Sequence, residues 1–279
     1  MKIAILSNVI KSNPTEAVRA FLEVIQNQCE VFIAKELEGI IPAKQYYSDE
    51  ELFGLVDVAV VFGGDGTTLT AARRAAPYNV PVLSINTGHL GFLATVSAQD
   101  AKKAAECLLK NNLALSERIM LNVKVIRDGN TIFDTLALND IITRRVMGKL
   151  ANISVSYNNC YVSDYRADGV VISTPTGSTA YSLSCGGPVV MPELDVFVIS
   201  PICPHFLGAR PMLIPIEGTV EISFTSDLSA ASISADGQEE CEVRYGDKIV
   251  ISKSPYRAKL LTLTEQNFFN LVRQKLTIQ

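Results

Sequence analysis

The chain of 279 residues contains no tryptophan and only two histidines, His89 and His205. A histidine-based metal cage or a Ser-His-Asp relay has little material to draw on. Its six cysteines, at 29, 107, 160, 185, 203 and 241, form no C-x-x-C pair and no cluster with histidine. Zinc-site and disulfide-scaffold readings fall away, and reduced thiols in the cytoplasm are the expectation. No G-x-G-x-x-G follows the opening strand-like segment, which disfavours a nicotinamide-dependent dehydrogenase. An excess of positive charge is missing too. A net charge of −4 speaks against a broad nucleic-acid surface, so an anionic ligand has to be met locally.

A sustained apolar run is also lacking. Mean hydropathy is +0.22 and residues 169–192 carry no charge, but that stretch holds four glycines, three prolines and seven Ser/Thr. It reads as a strand followed by a ligand-lining loop and helix, with no membrane span. The segment Met1–Leu6 turns polar at Ser7-Asn8, which makes it a first strand and not a signal peptide.

What is present, 48% hydrophobic residues, is ample core for one large or two medium domains. In the first hundred residues strands at 2–6, 30–34, 57–62 and 80–85 alternate with helices at 16–28 and 99–110. This pattern predicts an α/β domain, residues 1–115, with a parallel, Rossmann-like sheet. From about residue 116 the pattern becomes short strands with turn signals such as Asp128-Gly129-Asn130 and Asn158-Asn159. Strands are expected at 120–127, 131–138, 152–157, 161–165, 196–200, 219–225, 248–252 and 259–263, forming a mainly antiparallel β-sandwich domain, residues 116–263. A terminal helix over 266–276, with Phe269, Val272 and Leu276 on one face, is expected to return to the first domain.

The most informative stretch of the first half is Val61-Phe62-Gly63-Gly64-Asp65-Gly66-Thr67-Thr68-Leu69. An apolar strand precedes it and a helix-forming run follows. Glycines at such a junction admit a ligand close to the backbone, and N–H groups at a helix start favour phosphate. Gly63, Gly64, Gly66 and Thr67 are therefore candidate phosphate contacts. Asp65 either caps the helix or, among phosphates, serves as a proton acceptor or a water-mediated magnesium ligand. Asn86-Thr87-Gly88-His89-Leu90-Gly91-Phe92-Leu93 ends the next parallel strand and is expected to face the same crevice. There His89 either touches ligand or bonds to backbone.

In the second half, Arg166-Ala167-Asp168 leads through an apolar strand into Ser173-Thr174-Pro175-Thr176-Gly177-Ser178-Thr179-Ala180-Tyr181-Ser182-Leu183-Ser184-Cys185-Gly186-Gly187-Pro188. Hydroxyls and backbone groups can read a base or ribose, and Tyr181 offers a stacking face; a self-satisfied loop is the plainer reading. Ser182 is not in a G-x-S-x-G setting, which weakens a hydrolase reading. Leu138-Asn139-Asp140 suits a ribose diol or a capped turn, Asp236-Gly237-Gln238 a turn, and Pro201–Phe206 a rigid wall or subunit contact. Arg144, Arg145 and Lys149 either screen phosphates or form a solvated loop. Cys185 and Cys203 lie where they can touch the pocket, which leaves thiol sensitivity open.

Together these segments resemble the NAD kinase family: GGDGT at 63–67, NTGHLGFL at 86–93, LND at 138–140, DGVVISTPTGSTAYSLS at 168–184 with GGP at 186–188, and PICPHFLGARP at 201–211. GGDGT also occurs in lipid kinases and phosphofructokinases, and TPTGSTAYSLS is the specific segment. The resemblance implies transfer of the γ-phosphoryl of ATP, or of another donor, to the 2′-hydroxyl of the adenosine ribose of NAD, giving NADP. It implies Asp65 as the proton acceptor with Gly66 beside it, and Asn139 and Asp140 holding ribose or base. Arg166 and Asp168 would engage the far part of the dinucleotide. Thr179, Ala180, Tyr181, Ser182, Leu183 and Ser184 would line the adenine and ribose pocket, with Gln238 a further contact. A divalent ion, Mg, would be held mainly through the nucleotide phosphates, and the assembly would be a homodimer or homotetramer with neighbouring subunits completing the site. The competing readings are a lipid or sugar kinase built on GGDGT, and a non-catalytic dinucleotide sensor.

Overall fold

Alternating apolar strands and amphipathic helices build the first of two units. The computed structural model describes residues 1–7, 14–88, 90–145, 151–225, 231–264 and 267–276. The chain divides into residues 1–117 with 258–279, and residues 118–257.

The first unit runs β1 (Lys2–Ser7), α1 (Thr15–Ile25), β2 (Glu30–Ala34), β3 (Tyr46–Tyr47), α2 (Asp49–Phe53), β4 (Val58–Phe62), α3 (Asp65–Ala75), β5 (Val82–Asn86), β6 (Val96–Ser97) and α4 (Ala101–Leu109). Its strands are parallel in the order β3-β2-β1-β4-β5, with β6 pairing on β5. β4 and β5 are buried along their whole length, which is why they read as continuous apolar runs. Ala17, Val18, Phe21 and Ile25 of α1 and Ala101, Ala104, Ala105 and Leu108 of α4 cover one face, packing on Ile3, Ile5, Val60 and Leu83. The order reverses between β1 and β4, so their carboxyl ends form the switch point where doubly wound sheets place ligands. There Ser7 Oγ donates to the Phe62 carbonyl at 2.8 Å, and Gly63-Gly64-Asp65 follows at once.

The second unit contains most of β7 (Ala114–Arg127), then β8 (Asn130–Ala137), β9 (Asp140–Arg145), β10 (Ala151–Tyr157), β11 (Cys160–Ala167), β12 (Gly169–Ser173), α5 (Tyr181–Ser184), β13 (Val196–Ile202), β14 (Met212–Pro215), β15 (Thr219–Phe224), β16 (Ala231–Ala235) and β17 (Glu239–Val243). β18 (Lys248–Thr262) begins here and ends in the first unit, where Leu260 and Leu261 pair with Val82 and Leu83 of β5. One antiparallel layer joins β8, β7, β18, β15, β10 and β11; the other has the order β14-β13-β12-β9-β16-β17. Leu121, Val123, Ile153, Val220 and Ile249 of the first layer meet Ile141, Val170, Ile172, Phe197 and Ile233 of the second, giving a sandwich core.

Two expectations are corrected. Residues 248–262 form one 15-residue strand, not two, because the fixed φ of Pro255 fits extended backbone. In α6 (Phe268–Leu276) the buried residue is Leu271, while Phe269 is 59% exposed, so the inward face is offset from the expected one. The Phe268 ring lies 6.4 Å from that of Phe92, within the first unit. Strands β9, β14, β16 and β17 were not anticipated. Glu239-Glu240-Cys241-Glu242 has poor β-propensity and forms a mostly exposed sheet edge, where charge is a normal device.

Candidate active site

Asp65 is the first residue of α3, and Gly64 holds the cap position with no side-chain cap. The carboxylate does not cap its own helix. It reaches across to the loop after β5, where Oδ2 accepts from Phe92 N–H at 2.8 Å and Oδ1 from Leu93 and Ala94 N–H at 3.0 and 2.8 Å. The GGDGT loop and the 86–94 loop are thus joined through Asp65 itself. Gly91 makes this approach possible, since a Cβ there would stand 1.8 Å from Asp65 Oδ1. Asn86 folds the same loop: its Oδ1 accepts from Gly88 N–H at 2.7 Å and its Nδ2 donates to the Ala94 carbonyl at 3.1 Å. His89 lies outside the described residues.

The three glycines differ. A Cβ at Gly63 would meet the Thr67 side chain at 2.6 Å, so that glycine serves local packing. Gly64 and Gly66 are exposed, and a Cβ at either would meet nothing within 4 Å. Their bareness leaves backbone open at the start of an eleven-residue helix, the geometry that receives a phosphate.

In the second unit, Leu138-Asn139-Asp140 links β8 to β9. Asp140 is 4% exposed and accepts from the Tyr181 N–H. Burial, and then the charge of nearby Asp236, push its carboxyl up to about 7 from the usual 3.8. The neighbouring loop is drawn tight against it: Thr174 Oγ1 donates to the Leu138 carbonyl at 2.6 Å, and a Cβ on Gly177 would fall 2.1 Å from the Asn139 carbonyl.

The predicted pocket segment is a short helical stretch, Thr176–Thr179, followed by α5. Tyr181 is 42% exposed, as a stacking residue needs to be, and Thr179, Ala180, Leu183 and Ser184 are partly or fully exposed. Ser182 is not: its fully buried Oγ bonds to Ser200 Oγ at 3.0 Å, with Gly187 packed against both. Its side chain braces the turn on β13. Cys185 is half-buried and burial, then Cys203, push its thiol up to about 11, so at neutral pH it is a protonated, weakly nucleophilic group.

Asp168 is held by Arg145, whose Nε donates to Oδ1 at 2.7 Å and whose N–H donates to the Asp168 carbonyl at 3.0 Å. Arg145 is therefore an anchored partner and not a solvated loop cation; Arg144 pairs with Glu240 at 2.9 Å, and Lys149 lies outside the described residues. Arg166 is exposed and lines a cleft of about 210 Å³ with Phe206, Arg210 and Met212, too small for a whole dinucleotide. The backbone of Arg166 is tied through its carbonyl to His205 N–H at 2.9 Å. Gln238 is exposed in the turn after β16. Sequence reasoning missed Arg145, Asn86 and Asp236 as organising residues. Asn86 had a readable signal, an Asn-x-Gly turn after a buried strand; the other two act across the β-sheet and had none.

Residues 5–113 match the family described as the ATP-NAD kinase N-terminal domain, and residues 138–263 the ATP-NAD kinase C-terminal domain. The chain is 42% identical over 226 residues to an NAD kinase of Symbiobacterium thermophilum, covering 81% of this chain and 80% of that one. It is 35% identical over 283 residues to an NAD kinase of Caldanaerobacter subterraneus subsp. tengcongensis, covering 99% of each. Among solved structures, yeast NADH kinase complexed with NADH superposes with a TM-score of 0.89 at 25% identity, covering 100% of this chain and 89% of that one. An NAD kinase from Archaeoglobus fulgidus in complex with ATP gives 0.77 at 26% identity, with both chains fully covered.

Proposed function

The chain belongs to the NAD kinase family and is a phosphotransferase using NAD and ATP, and from that premise we propose that Asp65 is its proton acceptor. The acceptor is the 2′-hydroxyl of the adenosine ribose of NAD. As its oxygen bonds to the γ-phosphorus of ATP, the bond from that phosphorus to the ADP oxygen breaks and the hydroxyl proton passes to Asp65, leaving NADP and ADP.

The observation that carries this role is the way Asp65 is committed. A carboxylate has about four acceptor positions. Backbone N–H groups take two on Oδ1 and one on Oδ2. Among the described residues a fourth position, on Oδ2, is left for a substrate proton, on a group whose orientation is already fixed. Such a base contributes about 10²–10⁴-fold, and positioning and charge neutralisation supply the rest.

The exposed Gly64 and Gly66 suit the donor phosphates; Gly63 and Thr67 shape that loop. Asn139 and Asp140 hold ribose or base, Tyr181 stacks, and Thr179, Ala180, Leu183 and Ser184 complete the adenosine pocket. The buried Ser182 acts through its backbone. Arg166, Asp168 and Gln238 are assigned to the far part of the dinucleotide. Kinases of this kind need a divalent ion, here taken as Mg. The ion is assigned to the nucleotide phosphates; among the described residues no three His, Cys, Asp or Glu gather into a metal-holding group. When bound, that ion neutralises phosphate charge. Six free thiols support a cytoplasmic setting, and the family resemblance supports a homodimer or homotetramer. Among the described residues no helix is long and apolar enough to cross a membrane. A lipid or sugar kinase, or a silent sensor, finds no support in the matched families.

NADP formation from NAD and Mg-ATP, read by a coupled NADP-specific dehydrogenase, tests the assignment. Wild type turns over; Asp65→Asn loses at least about 10²-fold, and Gly91→Ala, whose methyl would displace Asp65, falls with it. Undiminished turnover in Asp65→Asn would show that another group takes the proton.

A further inference from the structure

We propose that Asp236 is a positioning residue of the nucleotide pocket, whose carboxylate sets the backbone of Leu138–Asp140 so that the Asn139 and Asp140 side chains are presented to NAD. The inference rests on the pocket reading given above and extends it to a residue that touches no substrate.

Asp236 occupies the tight turn between β16 and β17, at φ +53°, followed by Gly237 at φ +64°. Ala235 pairs with Glu239, and Gln238 N–H closes the turn on the Ala235 carbonyl at 3.0 Å. A turn of this hand favours glycine, asparagine or aspartate, and the turn alone explains an Asp-Gly pair. It does not explain where the side chain goes. Asp236 Oδ2 accepts from Leu138 N–H at 3.0 Å, and Oδ1 accepts from Asn139 and Asp140 N–H at 2.8 and 3.2 Å. Asp236 N–H returns a bond to the Asp140 carbonyl at 2.9 Å.

The carbonyls of the triplet are occupied as well. Thr174 Oγ1 donates to Leu138, and the Asn139 carbonyl accepts from Thr174 N–H at 2.9 Å and Ser173 Oγ at 3.2 Å. Each of the six backbone polar groups of Leu138-Asn139-Asp140 therefore has a partner, and Asp236 touches four of them. With the backbone so committed, the side chains of Asn139 and Asp140 are the groups this triplet has to offer a ligand. One carboxylate binding three successive amides fixes a loop that two-residue capping would leave free to rotate. Placing that charge beside buried Asp140 is electrostatically unfavourable, and a turn could be made with Asn or Gly without it. A role beyond the turn accounts for its presence.

Asp236→Asn is the test, because asparagine tolerates the same backbone conformation but turns one acceptor oxygen into a donor. Losing a charge-assisted contact of this kind should lower kcat/KM for NAD by about tenfold or more, and amide hydrogen exchange at Leu138, Asn139 and Asp140 should accelerate ahead of the rest of the unit. Combined with Asp140→Asn, it should cost much less than the product of the two single effects, because both act through one pocket element. Effects that multiply, or unchanged exchange at the three amides, would overturn the proposal. Where Asp236→Asn melts too low to assay, Asp236→Glu, which keeps the charge and misplaces it, should give the same non-additivity. Loss in Asp140→Asn with none in Asp236→Asn would sink the positioning role alone. Unimpaired kcat/KM for NAD in both Asn139→Ala and Asp140→Asn would sink the pocket reading and this proposal with it.

Discussion

Asp140 shows how much a single residue's surroundings can decide. Its carboxyl is raised from 3.8 to about 7, first by burial and then by Asp236, against the opposing pull of the Tyr181 N–H. An acid with a folded-state value above its unfolded one binds its proton more firmly in the native state. Its contribution to stability is therefore complete below about pH 4 and declines as pH rises toward 7, by on the order of a few kcal/mol. Urea-unfolding midpoints measured across pH 4–8 should show this fall in the wild type, and Asp140→Asn should flatten it. An equal slope in both proteins would mean that Asp140 titrates normally. At this scale the sequence was partly legible. A carboxylate among glycines announces Asp65, and a run of hydroxyls announces Thr174–Ser184. The partners of those groups were not legible. Asp65 bonds to amides 27 to 29 residues ahead, and Asp236 to amides 96 to 98 residues behind, distances over which periodicity carries no signal.

Among the elements, α6 connects to the reaction loop more directly than a docking helix need do. Its Phe268 ring lies against Phe92, and the Phe92 N–H is the donor to Asp65 Oδ2. The helix thus leans on the residue that holds the proposed base. Phe268→Ala should lose about 0.5–1.5 kcal/mol of stability from the aromatic pair and lower kcat while KM for NAD stays near wild type. Thermal melts and steady-state assays check both halves; a melt shift with unaltered kcat would reduce α6 to a structural clasp. Elements with strong periodicity were readable almost to the residue, β2 at Glu30–Ala34 among them. Elements whose strand character depends on neighbours were not. Ala231–Ala235 and Glu239–Val243 have weak propensity and become strands because β9 offers an edge on which β16 can pair, and β16 in turn pairs with β17.

For the molecule as a whole, the pattern changes from alternating helices to short strands near residue 116, and the structure divides into residues 1–117 with 258–279 and residues 118–257. The return at Ala258, within β18, was invisible because a strand crossing from one unit to the other carries no break in composition. The sandwich core, from Ile119 to Ile251, lies entirely within residues 118–257. That segment expressed alone should therefore fold, with a cooperative melt and dispersed amide resonances; a non-cooperative, collapsed spectrum would show that its stability depends on the remainder. The first unit is discontinuous in sequence: Leu260 and Leu261, which pair on β5, reach it only after residues 118–257.

This arrangement sets an order of events on the ribosome. The unit whose synthesis begins first is finished second, since Leu260 and Leu261 emerge only after the whole of residues 118–257. Until then the Val82–Leu83 edge of a nascent parallel sheet has unpaired backbone groups on show. For the length of time needed to translate an entire sandwich, that edge waits for its partner strand.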